Sequence, residues 1–146
     1  MSGNSKEAVD LFLKGYNCAQ AVLYACRKET GLSEDLSLKI SSGLGAGLAR
    51  KGHICGAVSG GILVLGMRHG RGREDDRTAM DLTYAKTREL MDRFAEKHGS
   101  CICRDLLKGC DLATEEGQQV FKENEYLTKI CTNCVAGVVD ILEQIR

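Results

Sequence analysis

Eight cysteines are spread along the 146 residues: Cys18, Cys26, Cys55, Cys101, Cys103, Cys110, Cys131 and Cys134. Sulfur as thiolate is a nucleophile, a redox centre and a soft metal ligand, so these residues carry the chemistry this chain has to offer. Cys131 and Cys134 form a C-x-x-C, which on a helix directs both thiols to one face. That spacing suits a metal or a redox disulfide. A zinc ribbon needs a second such pair, and Cys101-Ile102-Cys103 is only C-x-C, which disfavours structural zinc of that kind. Cys18 and Cys26, if helical, lie about 12 Å apart along the axis, beyond the Cα separation of about 7 Å that a disulfide tolerates. Cys26 therefore reads as a small buried hydrophobe.

Placement within elements says more than spacing. Cys18 follows the cap-like Asn17. Cys55 stands at the mouth of the longest apolar run, Ile54 to Met67, and Cys101 and Cys103 follow Gly99-Ser100. Cys131 falls near the start of the last helical segment. Thiols in a first helical turn feel the positive end of the helix dipole, which predicts lowered pKa values and thiolates ready to react or ligate. His53, two residues before Cys55, is a candidate ligand or proton donor, with an exposed loop histidine as the simpler reading. His69 and His98 fit helix ends. No Ser-His-Asp or Cys-His pair stands out.

The elements that must position these thiols read as helices throughout. Proline is absent, aromatics are few, and Ala, Leu, Glu, Lys and Arg are common. Helical periodicity predicts segments at about 5–14, 18–28 (or one continuous helix from 5 to 28), 35–48, 54–67, 74–97, a short one at 100–107, 114–126 and 128–145. Asn17 with Gln20 predicts a capping box for the second. In the third, Gly43-Leu44-Gly45-Ala46-Gly47 is poor helix by propensity, so it either frays or meets a neighbour where only glycine fits. The run 54–67 is apolar all round, as a central buried helix should be. Gly56 and Gly60 lie on one of its faces and would admit a close helix or ligand. The expectation is an all-α, single-domain (residues 1–146) irregular bundle of six or seven helices around 54–67.

Charge excludes some classes. Twenty basic and twenty acidic residues give a net charge of zero, which provides no field to attract nucleic acid or an anionic membrane. No stretch is long and apolar enough to span a bilayer. The first residues lack the apolar core of a secretion signal. A cytoplasmic location is the expectation, where clustered cysteines serve metals or redox chemistry more often than permanent cross-links.

Cys55-Gly56-Ala57-Val58-Ser59-Gly60 resembles the C-G-A-x-x-G motif of the C_GCAxxG_C_C family, four-cysteine proteins named for redox activity. Asn17-Cys18-Ala19-Gln20-Ala21-Val22-Leu23 resembles its first cysteine segment. Cys103-Arg104-Asp105-Leu106-Leu107 resembles the third, and Cys131 with Val135 the fourth. The resemblance implies Cys18, Cys55, Cys103 and Cys131 as the site, serving as redox-active residues or metal ligands, and leaves Cys26, Cys101, Cys110 and Cys134 outside it. Gly56 and Gly60 become candidates for shaping the pocket around a cofactor.

The resulting expectation is a redox protein whose four cysteines bind an iron–sulfur centre or another soft metal, or cycle between dithiol and disulfide, in electron transfer to an unidentified redox partner. The alternatives are a non-catalytic helical binding module, including a homo-oligomer, and a zinc-binding metal-handling protein.

Overall fold

The structure, a computed structural model, describes every residue from Met1 to Arg146 and contains only helices and connecting turns. Ten α-helical segments run α1 (Gly3–Leu13), α2 (Cys18–Ala25), α3 (Arg27–Thr30), α4 (Glu34–Ile40), α5 (Gly45–Leu48), α6 (Gly56–His69), α7 (Arg77–His98), α8 (Cys103–Leu106), α9 (Glu115–Glu123) and α10 (Thr132–Gln144). A 3-10 turn, Ser42–Leu44, precedes α5, and a π-helical turn, Leu127–Cys131, leads into α10. Three of the ten are four-residue turns, which leaves seven helices of seven residues or more. The all-α expectation and its helix number hold.

α6 is the central element, packed against α2, α7 and α10. Ala57, Val58, Val64 and Leu65 on it have no exposed surface. Its glycines set how near the neighbours come. A Cβ on Gly60 would lie 2.7 Å from the Ala19 carbonyl oxygen of α2, and one on Gly61 would lie 2.8 Å from Val138 of α10. Gly60 thus admits a helix and does not face the thiols. α10 brings Val135, Val138, Val139 and Leu142 to the same core, and α7 brings Leu90 and Phe94.

Two segments depart from the pattern read in the sequence. The helix expected over 35–48 ends at Ile40, where the Gln20 side chain donates to the Leu38 carbonyl; a 3-10 turn and an extended Gly45 follow, and only then does the chain turn left-handed. Ala46, Gly47, Leu48, Ala49 and Arg50 all have φ between 53° and 69°. Gly47 is required there twice over. Its φ is +68°, and a Cβ would meet the Cys103 side chain at 2.8 Å and the His53 backbone nitrogen at 2.6 Å. The apolar stripe expected along 74–97 is buried only in its second half. Tyr84 is 55% exposed, because α7 runs out past the core there.

Candidate functional site

The N-terminal end of α2 begins the site. Asn17 accepts from the Gln20 backbone N–H, and Gln20 accepts from the Asn17 N–H, completing the expected capping box. The same two side chains donate onward to the carbonyls of Ser42 and Leu38, so the cap also fixes the segment leading into the left-handed turn. That turn then directs the Ala46 backbone N–H to the sulfur of Cys18. Across from it, Cys18 Sγ lies against Gly56 so closely that a Cβ there would be 2.3 Å away.

Cys55 and Cys103 are placed by a second device. Segments 52–55 and 101–104 pair antiparallel through an isolated bridge between Ile54 and Ile102. The Cys55 N–H donates to the Cys101 carbonyl at 2.7 Å, and the Cys103 N–H to the His53 carbonyl at 2.6 Å. His53 therefore contributes backbone, while its side chain is exposed. Cys55 is the cap residue of α6 and Cys103 the first residue of α8.

A cavity of about 560 Å³ opens between these elements, lined by Cys18, Cys55, Cys103, Cys131 and Cys134. Apolar side chains including Phe12, Leu107, Phe121 and Ile130 form most of the remaining wall. All four cysteines implied by the family resemblance border this one space, together with Gly56. Gly60 does not. Cys134, left outside that set, does.

The thiols follow one another in a chain. Cys18 and Cys55 lie close enough to shift each other's pKa, and Cys134 lies close enough to Cys55 to raise that thiol's. The three cysteines outside the cavity are occupied elsewhere. Cys101 donates its S–H to the Met91 carbonyl at 3.3 Å, Cys110 donates to the Gly117 carbonyl at 2.9 Å, and Cys26 is packed in the core. All eight are free thiols.

The lowered pKa expected from helix-start positions is overturned. The hydrogen bond to Cys55 and burial push Cys18 well up, and the bond to Cys134 together with burial does the same to Cys55. Burial raises Cys103 to about 11 and Cys131 to about 12 from an ordinary 9.0. Backbone N–H groups do act in the expected direction, from Ala46 and Ala19 on Cys18 and from Ala57 on Cys55. They are outweighed because several thiols share one apolar space, where a lone negative charge is poorly solvated. These shifts all favour the neutral thiol over the thiolate.

These features correspond to a known sequence family, described as "Putative redox-active protein (C_GCAxxG_C_C)", whose model matches residues 16–145. The chain belongs to this family. The match takes in every element that lines the thiol cavity except α1. An uncharacterized protein of Archaeoglobus fulgidus is 27% identical over 118 residues, covering 76% of this chain and 78% of that one. No solved structure matches the chain.

Cys134 is the cysteine of the cavity wall that lies outside the family's four. Its signal was present in the sequence as the C-x-x-C with Cys131.

Proposed function

We propose that this C_GCAxxG_C_C protein is an electron carrier whose centre is an iron–sulfur cluster held by Cys18, Cys55, Cys103 and Cys131. The observation that carries the reading is convergence: four cysteines from well-separated parts of the sequence line one apolar cavity. Cysteines that merely pack would have no reason to collect there, which weighs against a binding module with inert thiols.

The donor set fits a cluster better than a single ion. Zinc needs its ligands about 2.3 Å from one point, and no three His, Cys, Asp or Glu side chains are grouped to hold an ion that way. A cluster spreads its thiolates over several irons, one apiece in the four-iron form, so sulfurs distributed around a cavity wall suffice. When bound, such a group supplies one-electron chemistry at a potential set by hydrogen bonds to sulfur and by solvent exposure. The chain's own contribution would be the N–H groups of Ala19, Ala46 and Ala57 aimed at sulfur, and apolar walls that keep water out. Because the shifts favour neutral thiols, ligation would release their protons.

Anaerobic purification or reconstitution with ferrous iron and sulfide, followed by iron and sulfide analysis and a visible absorption spectrum, tests this. A coloured protein with iron and sulfide in comparable amount is expected. A colourless, iron-free protein after reconstitution would sink the reading.

A second reading has its own support in the closeness of Cys18 and Cys55, which shift each other's pKa. Those two thiols could lose two electrons and two protons to form a disulfide. Peptide mapping by mass spectrometry without reductant, on air-exposed protein, would show a Cys18–Cys55 link in that case and unlinked peptides otherwise.

A further inference from the structure

One motif is only half used by the proposed centre. Of the C-x-x-C pair, Cys131 is a family cysteine and Cys134 is not, yet both line the cavity. On a helix, residues three apart are separated by about 4.5 Å along the axis and about 60° around it. The two thiols are thus stacked one turn apart on one face. Cys134 is the deeper, 3% exposed and in the same buried cluster as Cys55, while Cys131 is half-buried at the end of the π-helical turn. Such turns insert an extra residue and are frequent where a helix must re-aim a functional side chain.

Cys134 is also uncommitted. Cys101 and Cys110 each give their S–H to a backbone carbonyl, whereas Cys134 makes no such bond. The geometry points to Cys134 as a fifth thiol ligand of the centre, able to take the place of Cys131 as the thiolate that α10 and its leading turn contribute. This rests on the cluster reading above. Cys18, Cys55 and Cys103 would serve in both ligand sets, and the exchange would move the point of attachment by one helical turn within the same cavity.

The test compares wild type, C131A, C134A and C131A/C134A after identical anaerobic reconstitution, with C101A as a cysteine removed outside the cavity. Alanine is chosen because a serine hydroxyl could itself ligate. Iron and sulfide per folded chain are measured, with circular dichroism confirming the fold. C131A and C134A are each expected to keep at least about half of the wild-type iron, and the double variant to lose at least about tenfold, the scale of losing a ligand-shell group. C131A falling to the level of the double variant would overturn the inference while leaving the cluster itself standing, and a double variant loaded like wild type would overturn it as well. Wild type that takes up no iron would remove both.

Should the double variant not fold, alkylation of reconstituted C131A decides alone. Mass spectrometry is expected to find Cys134 protected until the iron is chelated. Cys134 modified equally before and after chelation would rule it out as the ligand.

Discussion

At Gly56 one added methyl group would sit 2.3 Å from the Cys18 sulfur and 3.0 Å from the Leu44 carbonyl. G56A should therefore displace the thiol and abolish iron uptake, at a stability cost of about 1–3 kcal/mol for overpacking. G60A has a comparable clash, with the Ala19 carbonyl, but none with a thiol. It is expected to lower the melting temperature while its folded fraction still takes up iron. Iron uptake and thermal melts on the two variants separate the roles, and a folded G60A protein that failed to load would return Gly60 to the site. The raised pKa values give a second prediction. Cys103 and Cys131 bind protons more tightly folded than unfolded, so their contribution is complete below about pH 9, the unfolded range, and drains away as pH climbs through about 11 to 12. Denaturation midpoints of the metal-free protein should fall over that interval. The fall should be shallower in C103A/C131A, though not absent, because Cys26 is raised to about 12 by burial and acts in the same direction.

Among the elements, the left-handed run from Ala46 to Arg50 is where local preference and tertiary demand oppose each other. A left-handed conformation costs an ordinary residue about 1–2 kcal/mol, and four of these five are not glycine. What holds them is the fit: the Ala46 N–H meets Cys18, and Gly47 lies against Cys103 and His53. Ala49 is exposed with φ 53° and adds no side chain to that fit. A49G should then stabilise the protein by about 0.5–1 kcal/mol, the left-handed strain relieved less the extra chain entropy of glycine. A denaturant titration showing A49G less stable than wild type would mean the turn is not strained as described. This run also shows where the sequence stopped being legible. Leu36, Ile40, Leu44 and Leu48 continue a helical stripe, so periodicity extended the helix to 48. Only the glycines hint otherwise, and the segment after Ile40 is held by tertiary contacts, with Gln20 and Asn17 on the carbonyls of Leu38 and Ser42 and Gly47 against Cys103. The N-terminal ends of α2 and α6 were readable because their signals are local, a cap box and an apolar run. The thiol environment was not: helix starts predicted thiolates, and the neutral thiols follow from neighbours that no single segment reveals. Cys134 was visible as half of a C-x-x-C, but spacing could not say that it would join Cys55 in one buried cluster.

Across the whole molecule, the thiol cavity lies on a seam between two apolar clusters. The larger contains Cys55 and Cys134, with Cys18 packed against it. The smaller contains Cys103, Leu107 and Cys110, with Phe121 and Tyr126 against it, and Cys131 packs on both. The smaller cluster is tied to the larger by the backbone pairing of 52–55 with 101–104 and by Ile130 and Cys131, which pack on both. α9 contributes only Gly117 as a buried residue and carries an exposed Val120. A segment with so little buried apolar contact belongs at the low-stability end of a structure. A centre ligated by Cys18 and Cys55 on one side and Cys103 on the other would clamp that seam. Because the unfolded chain offers no such preformed site, the clamp stabilises the folded state in proportion to occupancy. Reconstitution should therefore raise the melting temperature and slow backbone hydrogen exchange chiefly over residues 103–126, with α6 and α10, already in the larger core, changing least. Exchange followed by mass spectrometry before and after loading gives the measurement. Uniform slowing along the chain would indicate global stabilisation without a clamp, and exchange unchanged over 103–126 in iron-loaded protein would place Cys103 outside the ligand set.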